Sequence, residues 1–521
     1  MSSIVIVGGG ISGIASAALL ARAGHEVTVL EARAELGGRA GSWEKGGFRF
    51  DTGPSWYLMP EVFDHFYRLL GTTADEQLEL VTLDPGYRVY NEGFSDPLDV
   101  AADRAENLEL FESVRRGSGR RLHRYLNSAA LTYDLAKRYF LYTSFQSIRP
   151  LLKDEVVSRL PTLVRLLFRS LWSLASSTVK DDRLRKILGY PAVFLGTSPY
   201  KAPSMYHLMS HLDLAEGVLY PIGGFERVID SIADLATGEG VTIRRSARVS
   251  RIVVENGAAV GVEYSDAHGE HHTVNADRVV SAIDLHFSET QLLEPKQQTY
   301  PQQYWDRATP GPSALLMCLG VGGELPELAH HTLFFAKDWR GGFDAIFGSN
   351  AHVPSPASLY VCKPSGVDAS VAPQNQENLF VLVPLPADPG FGKGGIGGRG
   401  DAQVEALADA VIEQIADWAG IPNLASRVTV RRTIGPADFV ADFGAWRGTA
   451  LGPAHILRQS AMFRAGNVSK KVRNLYFVGA STIPGVGLPM CLISAEVLLK
   501  RISGDTSTGP LPEPLSRHAA N

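Results

Sequence analysis

The chain has 521 residues, 50 basic and 55 acidic side chains, and a formal net charge of −5. Hydrophobic residues make up 45% of it, which suits a folded protein with more than one domain and a large core. The near-neutral charge argues against a nucleic-acid-binding surface. Three cysteines (Cys318, Cys362, Cys491) without a C-x-x-C pair argue against a disulfide framework or a zinc site, and no run of about 18 uncharged apolar residues suggests a membrane span.

Ser3–Val7 reads as a short buried strand that follows the N-terminus with no signal peptide. Ile14–Ala23 reads as a helix closed by Gly24, and Val27–Leu30 as a second strand ending at Glu31. Between the first strand and the helix lies Gly8-Gly9-Gly10-Ile11-Ser12-Gly13, a G-x-G-x-x-G turn. Gly8 permits the tight turn, Gly10 lets a pyrophosphate approach the backbone, and Gly13 lets helix and strand pack closely. The helix N-terminus offers free N–H groups and a positive dipole end to phosphates. Glu31 stands where a carboxylate accepts ribose hydroxyls, and Ala32 and Arg33 follow it in the same expected site. A second match, Gly392 to Gly397, follows no strand and sits in the glycine-rich run Gly390 to Gly400, so it is expected to be a mobile loop.

Gly37-Gly38-Arg39 follows after a short loop. Asp51-Thr52-Gly53-Pro54-Ser55-Trp56-Tyr57 then interrupts the first hundred residues with turn chemistry. From 101 to 211 the pattern is mainly helical, and Leu108–Tyr142 carries apolar residues at three-and-four spacing. In Arg159–Ser177, Arg165, Arg169 and Ser173 share one helical face, while Val164, Leu167, Phe168, Leu171, Trp172 and Leu174 gather on another. Two readings stay open there: a basic amphipathic helix on a membrane surface, or a core-packed helix with a solvated basic face. His207 and His211 are spaced i, i+4 without the glutamate of H-E-x-x-H, so they are poor metal ligands. The pairs His271-His272 and His330-His331 are expected on a surface loop or edge strand.

A helix is expected at Phe225–Leu235, then strands at Val241–Arg245, Val249–Glu255, Val260–Tyr264 and Arg278–Ala282, with Asn256-Gly257 as a hairpin turn. Ala314–Val321 and Leu379–Leu385 read as strands and Asp401–Trp418 as a helix. Asn474 to Ala480 is a strand ending in small residues before a Gly/Pro loop and a helix. With Gly37-Gly38-Arg39, it points to FAD rather than NAD. Ser503 to Asn521 is rich in Ser, Thr, Gly and Pro and is expected to be a disordered tail.

Four blocks carry a family resemblance: Gly37-Gly38-Arg39-Ala40, Phe48 to Ser55, Tyr220-Pro221-Ile222-Gly223-Gly224, and Gly479 to Pro489 with its Thr-x-Pro-Gly-x-Gly-x-Pro spacing. Over about residues 3 to 502 the chain resembles the FAD flavoproteins of the amine-oxidase-like fold. Within them it is most similar to the bacterial-type phytoene desaturases, which act on carotenoids. The first and third blocks are widespread in that fold, and the last is much more specific, its spacing pointing to carotenoid enzymes.

The resemblance implies an α/β fold with a Rossmann-like FAD domain, a discontinuous α+β substrate domain and a helical, membrane-associating subregion. The expected segments are 1–100, 220–284 and 441–502 for FAD, 101–219 for the helical region, 285–440 for the substrate domain and 503–521 for the tail. Gly38, Arg39, Gly53, Pro54, Ser55, Gly479, Ala480, Gly487, Leu488 and Pro489 join the turn residues as FAD contacts, and Val249 passes the adenine. The implied reaction moves a hydride from a saturated carbon to the flavin and then loses a proton to form a double bond. The implied acceptor is oxygen or a quinone, with no NAD(P) site. The expected location is cytoplasmic and peripheral to the membrane. Asp154, Glu155 and Arg159 are candidates near the tunnel, and Trp56, Tyr57 and Thr482 are candidate wall residues. Other readings are a desaturase of a hydroxylated or shorter precursor, an isomerase, a ketolase, an amine oxidase, or a non-redox prenyl-lipid escort protein.

Overall fold

The computed structural model describes residues 1–146 and 153–516. Five parallel strands form one sheet in the order Leu475–Phe477, Arg278–Ser281, Ser3–Val7, Glu26–Leu30, Thr242–Arg244. A central parallel strand is covered on both faces, so it must be apolar throughout. In Ser3–Val7 the alternation of side chains divides the residues between two cores. Ile4 and Ile6 pack with the helices Ile11–Arg22, Gly224–Gly238 and Leu488–Ser503. Val5 and Val7 pack toward an antiparallel sheet of Arg248–Glu255, Ala258–Ser265 and His271–Asn275. Strands from three distant parts of the chain therefore build the layer that carries the glycine turn.

The second large sheet has seven strands, in the order Val428–Ile434, Ser313–Gly322, Gln376–Leu385, Leu359–Cys362, His331–Phe335, Tyr87–Asn91, Leu98–Val100. One face, with Leu315, Met317 and Leu319, is covered by the helix Ala402–Ala419. The other, with Leu316, Cys318, Phe335, Tyr360 and Phe380, faces an aromatic cluster. Residues 87–100, which sequence reasoning groups with the first FAD segment, pair here instead, with Tyr87–Asn91 parallel to His331–Phe335.

The helical region holds Arg104–Val114, Ser118–Ala136, Leu160–Phe168 and Leu171–Thr178. The helix expected over Arg159–Ser177 is two helices, because Ser170 caps the second through Ser173 N–H (3.2 Å). Ser204 N–H also takes the Arg169 carbonyl (2.7 Å). The halves differ: Leu171 and Ala175 are buried, whereas Leu160, Val164 and Phe168 stand 51%, 42% and 76% exposed.

Three other expectations change. Residues 390–400 are pinned rather than loose: Gly394 N–H bonds Asp438 and Gly395 N–H bonds Thr433. Residues 504–516 run back over the first core, with Leu515 N–H on the Leu69 carbonyl, Leu511 N–H on Glu496, and Glu513 on His65. The remaining tail, 517–521, lies outside the described residues. His330 and His331 are buried, His331 on an interior strand opposite Cys362. His272 does lie on the edge strand His271–Asn275.

Candidate active site

The two sheets and the helical region enclose a cavity of about 650 Å³. Its first arm is the glycine turn. Gly10 precedes the helix Ile11–Arg22; its carbonyl accepts Gly13 and Ile14 N–H (2.9 and 3.0 Å), and the amides of Ile11 and Ser12 precede the first intrahelical bond. A Cβ on Gly10 would meet nothing nearer than Gly37 O at 3.8 Å, so the space beside it is open. A Cβ on Gly13 would lie 2.0 Å from Gly8 O, so that glycine is required by close packing. Glu31 closes the turn: its Oε2 accepts Gly9 N–H (2.6 Å) and its Oε1 accepts Arg33 N–H (2.8 Å).

Of the twenty residues expected to hold FAD, all but Gly9 and Gly13 line the cavity, including Ala32, Gly53, Val249, Gly479 and Pro489. Two features fit a dinucleotide with a pyrophosphate. Arg39 is half-buried, its Nε and Nη2 enclosed without hydrogen-bond partners and its ion-pair partner Asp284 3.8 Å away. Burial lowers its pKa, which marks a cation short of partners. The second feature is the loop after Phe477. Arg464, 5% exposed, donates to the carbonyls of Ala480 (2.5 Å), Thr482 (3.1 Å) and Gln459 (3.1 Å) and so fixes the loop that lines the cavity. Burial lowers Arg464 to about 10.

The second arm is apolar and aromatic. Phe140, Leu141, Phe145, Tyr190, Phe194, Met209, Phe335, Trp339 and Phe343 line it. Trp56 lies where the arms meet and stacks on His331 (4.3 Å between centroids, 8° between planes). Ser55 Oγ meets Tyr360 OH (2.6 Å), and that hydroxyl meets His331 Nδ1 (2.7 Å). His330, His331 and Cys362 bring their ligand atoms within 4.8 Å of one another. Burial drives the Cys362 thiol up to about 12 and both histidines down, so these groups stay neutral.

Asp154, Glu155 and Arg159 are not brought to the cavity. Asp154 and Glu155 open the helix Asp154–Ser158, Arg159 follows it, and Glu155 accepts Tyr139 OH (2.8 Å). Tyr57 is fully buried against Phe63 behind the wall, and Thr482 supports the loop by bonding the Gly479 carbonyl (2.9 Å). Sequence reasoning missed Tyr190, Asp213, His331, Tyr360 and Arg464. Only Asp213, a lone acid between Leu212 and Leu214, left a local signal.

Residues 11–321 match the family described as flavin containing amine oxidoreductase. The chain belongs to that family. It is an oxidoreductase whose cofactor is a flavin, and the pyrophosphate turn fits the dinucleotide form, FAD. Among its relatives is a carotenoid 3,4-desaturase of Haloarcula japonica, 39% identical over 95% of this chain and 96% of the relative. A zeta-carotene-forming phytoene desaturase of Myxococcus xanthus is 35% identical over 96% of this chain and 93% of its own. An oxidoreductase structure from Methanosarcina mazei shares the fold, with a TM-score of 0.62 at 17% identity, over 96% of this chain and 100% of that one.

Proposed function

We propose that this flavoprotein is a carotenoid desaturase that introduces double bonds into phytoene or a closely related polyene precursor. The observation that carries the reading is the continuity of the FAD cradle with an aromatic, apolar arm in one cavity. A long hydrocarbon has no polar handle, so its binding must come from burying apolar area, at roughly 25 cal/mol per Å². Bound FAD supplies a two-electron acceptor for a C–H bond. The chain's residues do the rest: the glycine turn and Arg39 hold the cofactor, Arg464 fixes the 480–482 loop, and the Trp56 wall excludes water. A second reading, desaturation of an already modified carotenoid, is favoured by the identity to the Haloarcula relative.

The same reading includes a peripheral membrane site. Helix Leu160–Phe168 turns Leu160, Val164 and Phe168 outward, and its inner side bonds the turn Ser204–Leu208, whose Met205, Tyr206 and Leu208 line the cavity. A water-insoluble substrate would then enter from lipid, and the electrons would leave to oxygen or a membrane quinone without an NAD(P) site. No described helix is long and apolar enough to cross a membrane. Expression in a phytoene-accumulating host, with chromatography of the extracted pigments, tests the assignment. New conjugated products are expected; unchanged phytoene beside a fully flavinylated protein would overturn phytoene as the substrate.

A further inference from the structure

Five rings surround Trp56: His331 at 4.3 Å, Phe194 at 5.3 Å, Tyr87 at 5.4 Å, Tyr360 at 6.1 Å and Tyr190 at 6.2 Å. Two carboxylates sit behind this wall: Asp51, near Cys362, is bonded by the Phe225 and Glu226 amides, and Asp213 lies on the Tyr190 side. Asp213 lies in the π-helical turn Leu212–Glu216 and is 2% exposed. Such widened turns recur at functional sites. Its Oδ2 accepts Tyr190 OH (2.6 Å) and Tyr87 OH (3.1 Å), while Oδ1 is buried without a hydrogen-bond partner.

Among the described residues, the groups facing Asp213 are uncharged. Tyr87 and Tyr190 touch it, Tyr125 approaches from the helix Ser118–Ala136, and His207 lies edge-on to Tyr125. Burial lowers His207 to about 4 and His331, across Trp56, well below its ordinary value, so neither is a counter-ion at neutral pH. Burial raises Asp213 to about 6, with the two tyrosine hydroxyls and then the backbone amides of Asp213 and Leu214 opposing the shift. A buried carboxylate without a cation is expensive to keep. Of its two tyrosines, Tyr190 lines the cavity, and the apolar surroundings leave the field there poorly screened.

We propose that Tyr190 and Asp213 stabilise the positive charge that forms on the substrate during desaturation and take up the proton it then loses. Tyr190 meets the substrate, and Asp213 is a positioning residue that acts through it. The inference rests on the desaturase reading above. One C–H bond breaks with both electrons leaving as hydride to the cofactor, and the substrate is left with one positive charge. A C–H bond on the neighbouring carbon then breaks, its electron pair becomes the new double bond, and its proton goes to the Tyr190 oxygen. The hydroxyl proton of Tyr190 passes to Asp213 Oδ2 at the same time. Hydride and proton together make the two electrons and two protons that a quinone or oxygen finally receives.

The test uses the full-length, flavin-loaded protein and two probes of equal shape: a long-chain isoprenoid trimethylammonium and its neutral tert-butyl isostere. Binding is read by quenching of tryptophan fluorescence. The wild type should prefer the ammonium by at least about tenfold, and Asp213→Asn and Tyr190→Phe should each lose that preference. Turnover of phytoene in lipid vesicles is followed in parallel. It should fall in the wild type as pH drops below about 6, be low and flat with pH in Asp213→Asn, and recover in part in Asp213→Glu. An equal ammonium preference in wild type and both variants overturns the proposal, as does an Asp213→Asn enzyme with wild-type turnover and pH profile. If phytoene is converted but the ammonium is not preferred, the charge-stabilising wall fails and the desaturase reading stands. If the ammonium preference is present and lost in the variants while phytoene is untouched, the wall stands and the substrate assignment fails.

Discussion

Two glycines of the same turn should fail in opposite ways when given a side chain. Gly10 has φ −71° and ψ 172°, extended backbone that valine adopts readily. Its nearest Cβ neighbours would be Gly37 O at 3.8 Å and Gly38 Cα at 3.9 Å, ordinary contact distances. Gly10→Val should therefore leave the flavin-free fold within about 1 kcal/mol of wild type. The same side chain occupies the open side of the turn where a pyrophosphate must approach. Losing two charge-assisted hydrogen bonds there costs about 3 kcal/mol or more, a roughly hundredfold weaker flavin complex. Gly13→Val is the reverse case. Its Cβ would sit 2.0 Å from Gly8 O and 3.2 Å from Ala282 Cβ, and both neighbours belong to the central sheet's own loops. Relief requires the helix to leave the strand, a loss of about 4 kcal/mol or more. Thermal melts of flavin-stripped protein and fluorescence titration with FAD separate the two effects. A Gly10→Val protein that purifies with one flavin per chain would refute the reasoning, and so would a Gly13→Val protein that melts like wild type.

Replacing Leu160, Val164 and Phe168 together by serine should weaken liposome flotation by about a hundredfold, since each removes part of the ~1.5–3 kcal/mol that burying a large apolar side chain contributes. Arg169→Glu should matter less, because that guanidinium already bonds Ser173 and Ser177; equal flotation of the triple variant and wild type would overturn the membrane-surface reading of this helix. Asp213 gives a stability test with a definite sign. Its folded pKa is raised from 3.8 to about 6, so its contribution is fully present below the unfolded value and is lost as pH rises through the folded one. At about 1.36 kcal/mol per unit the loss is about 3 kcal/mol. Asp213→Asn should therefore be the more stable protein well above pH 6 and should converge with wild type near pH 4; denaturant melts across that range decide it.

The cofactor arm was legible because its physics is local. A strand, a glycine turn, a helix and an acid follow one another within about 30 residues, and each constrains the next. The pinned Gly390–Gly400 loop and the docked residues after Ser503 were not legible, because composition reports what a segment could do alone. Asp438, Thr433, Leu69 and Glu496, which hold them, are supplied from elsewhere in the chain. Asp154 and Glu155 show the converse error: a charged helix start was carried to the tunnel by resemblance, and the fold leaves it outside. The Trp56 wall draws on residues 56, 87, 190, 194, 331 and 360, which meet only once the seven-stranded sheet has paired Tyr87–Asn91 with His331–Phe335. No periodicity along the chain encodes that meeting.

Poorly compensated charges of opposite sign stand beside the two arms of the cavity, Arg39 in its lining and Arg464 and Asp213 behind it. On the cofactor side, Arg464 bonds only carbonyls, and its electrostatic neighbours are two tyrosines and a cysteine. Arg39 has two guanidinium nitrogens unbonded, and its one carboxylate lies at 3.8 Å. On the substrate side, Asp213 bonds tyrosine hydroxyls and the backbone amides of its own turn, with no cation against it. Burying such charges unpaired costs several kcal/mol apiece, and a protein selected for stability alone would have paired or replaced them. Taking a hydride from a neutral hydrocarbon separates charge in this same sense, positive on the substrate and negative on the acceptor. Fixed charges of those signs, held beside the two arms, lower the cost of the separation without reorganising during it. A uniformly apolar cavity would bind the hydrocarbon equally well and favour neither product of the charge separation. The polarity of the walls, more than their greasiness, is therefore what distinguishes a desaturating site from one that only carries lipid.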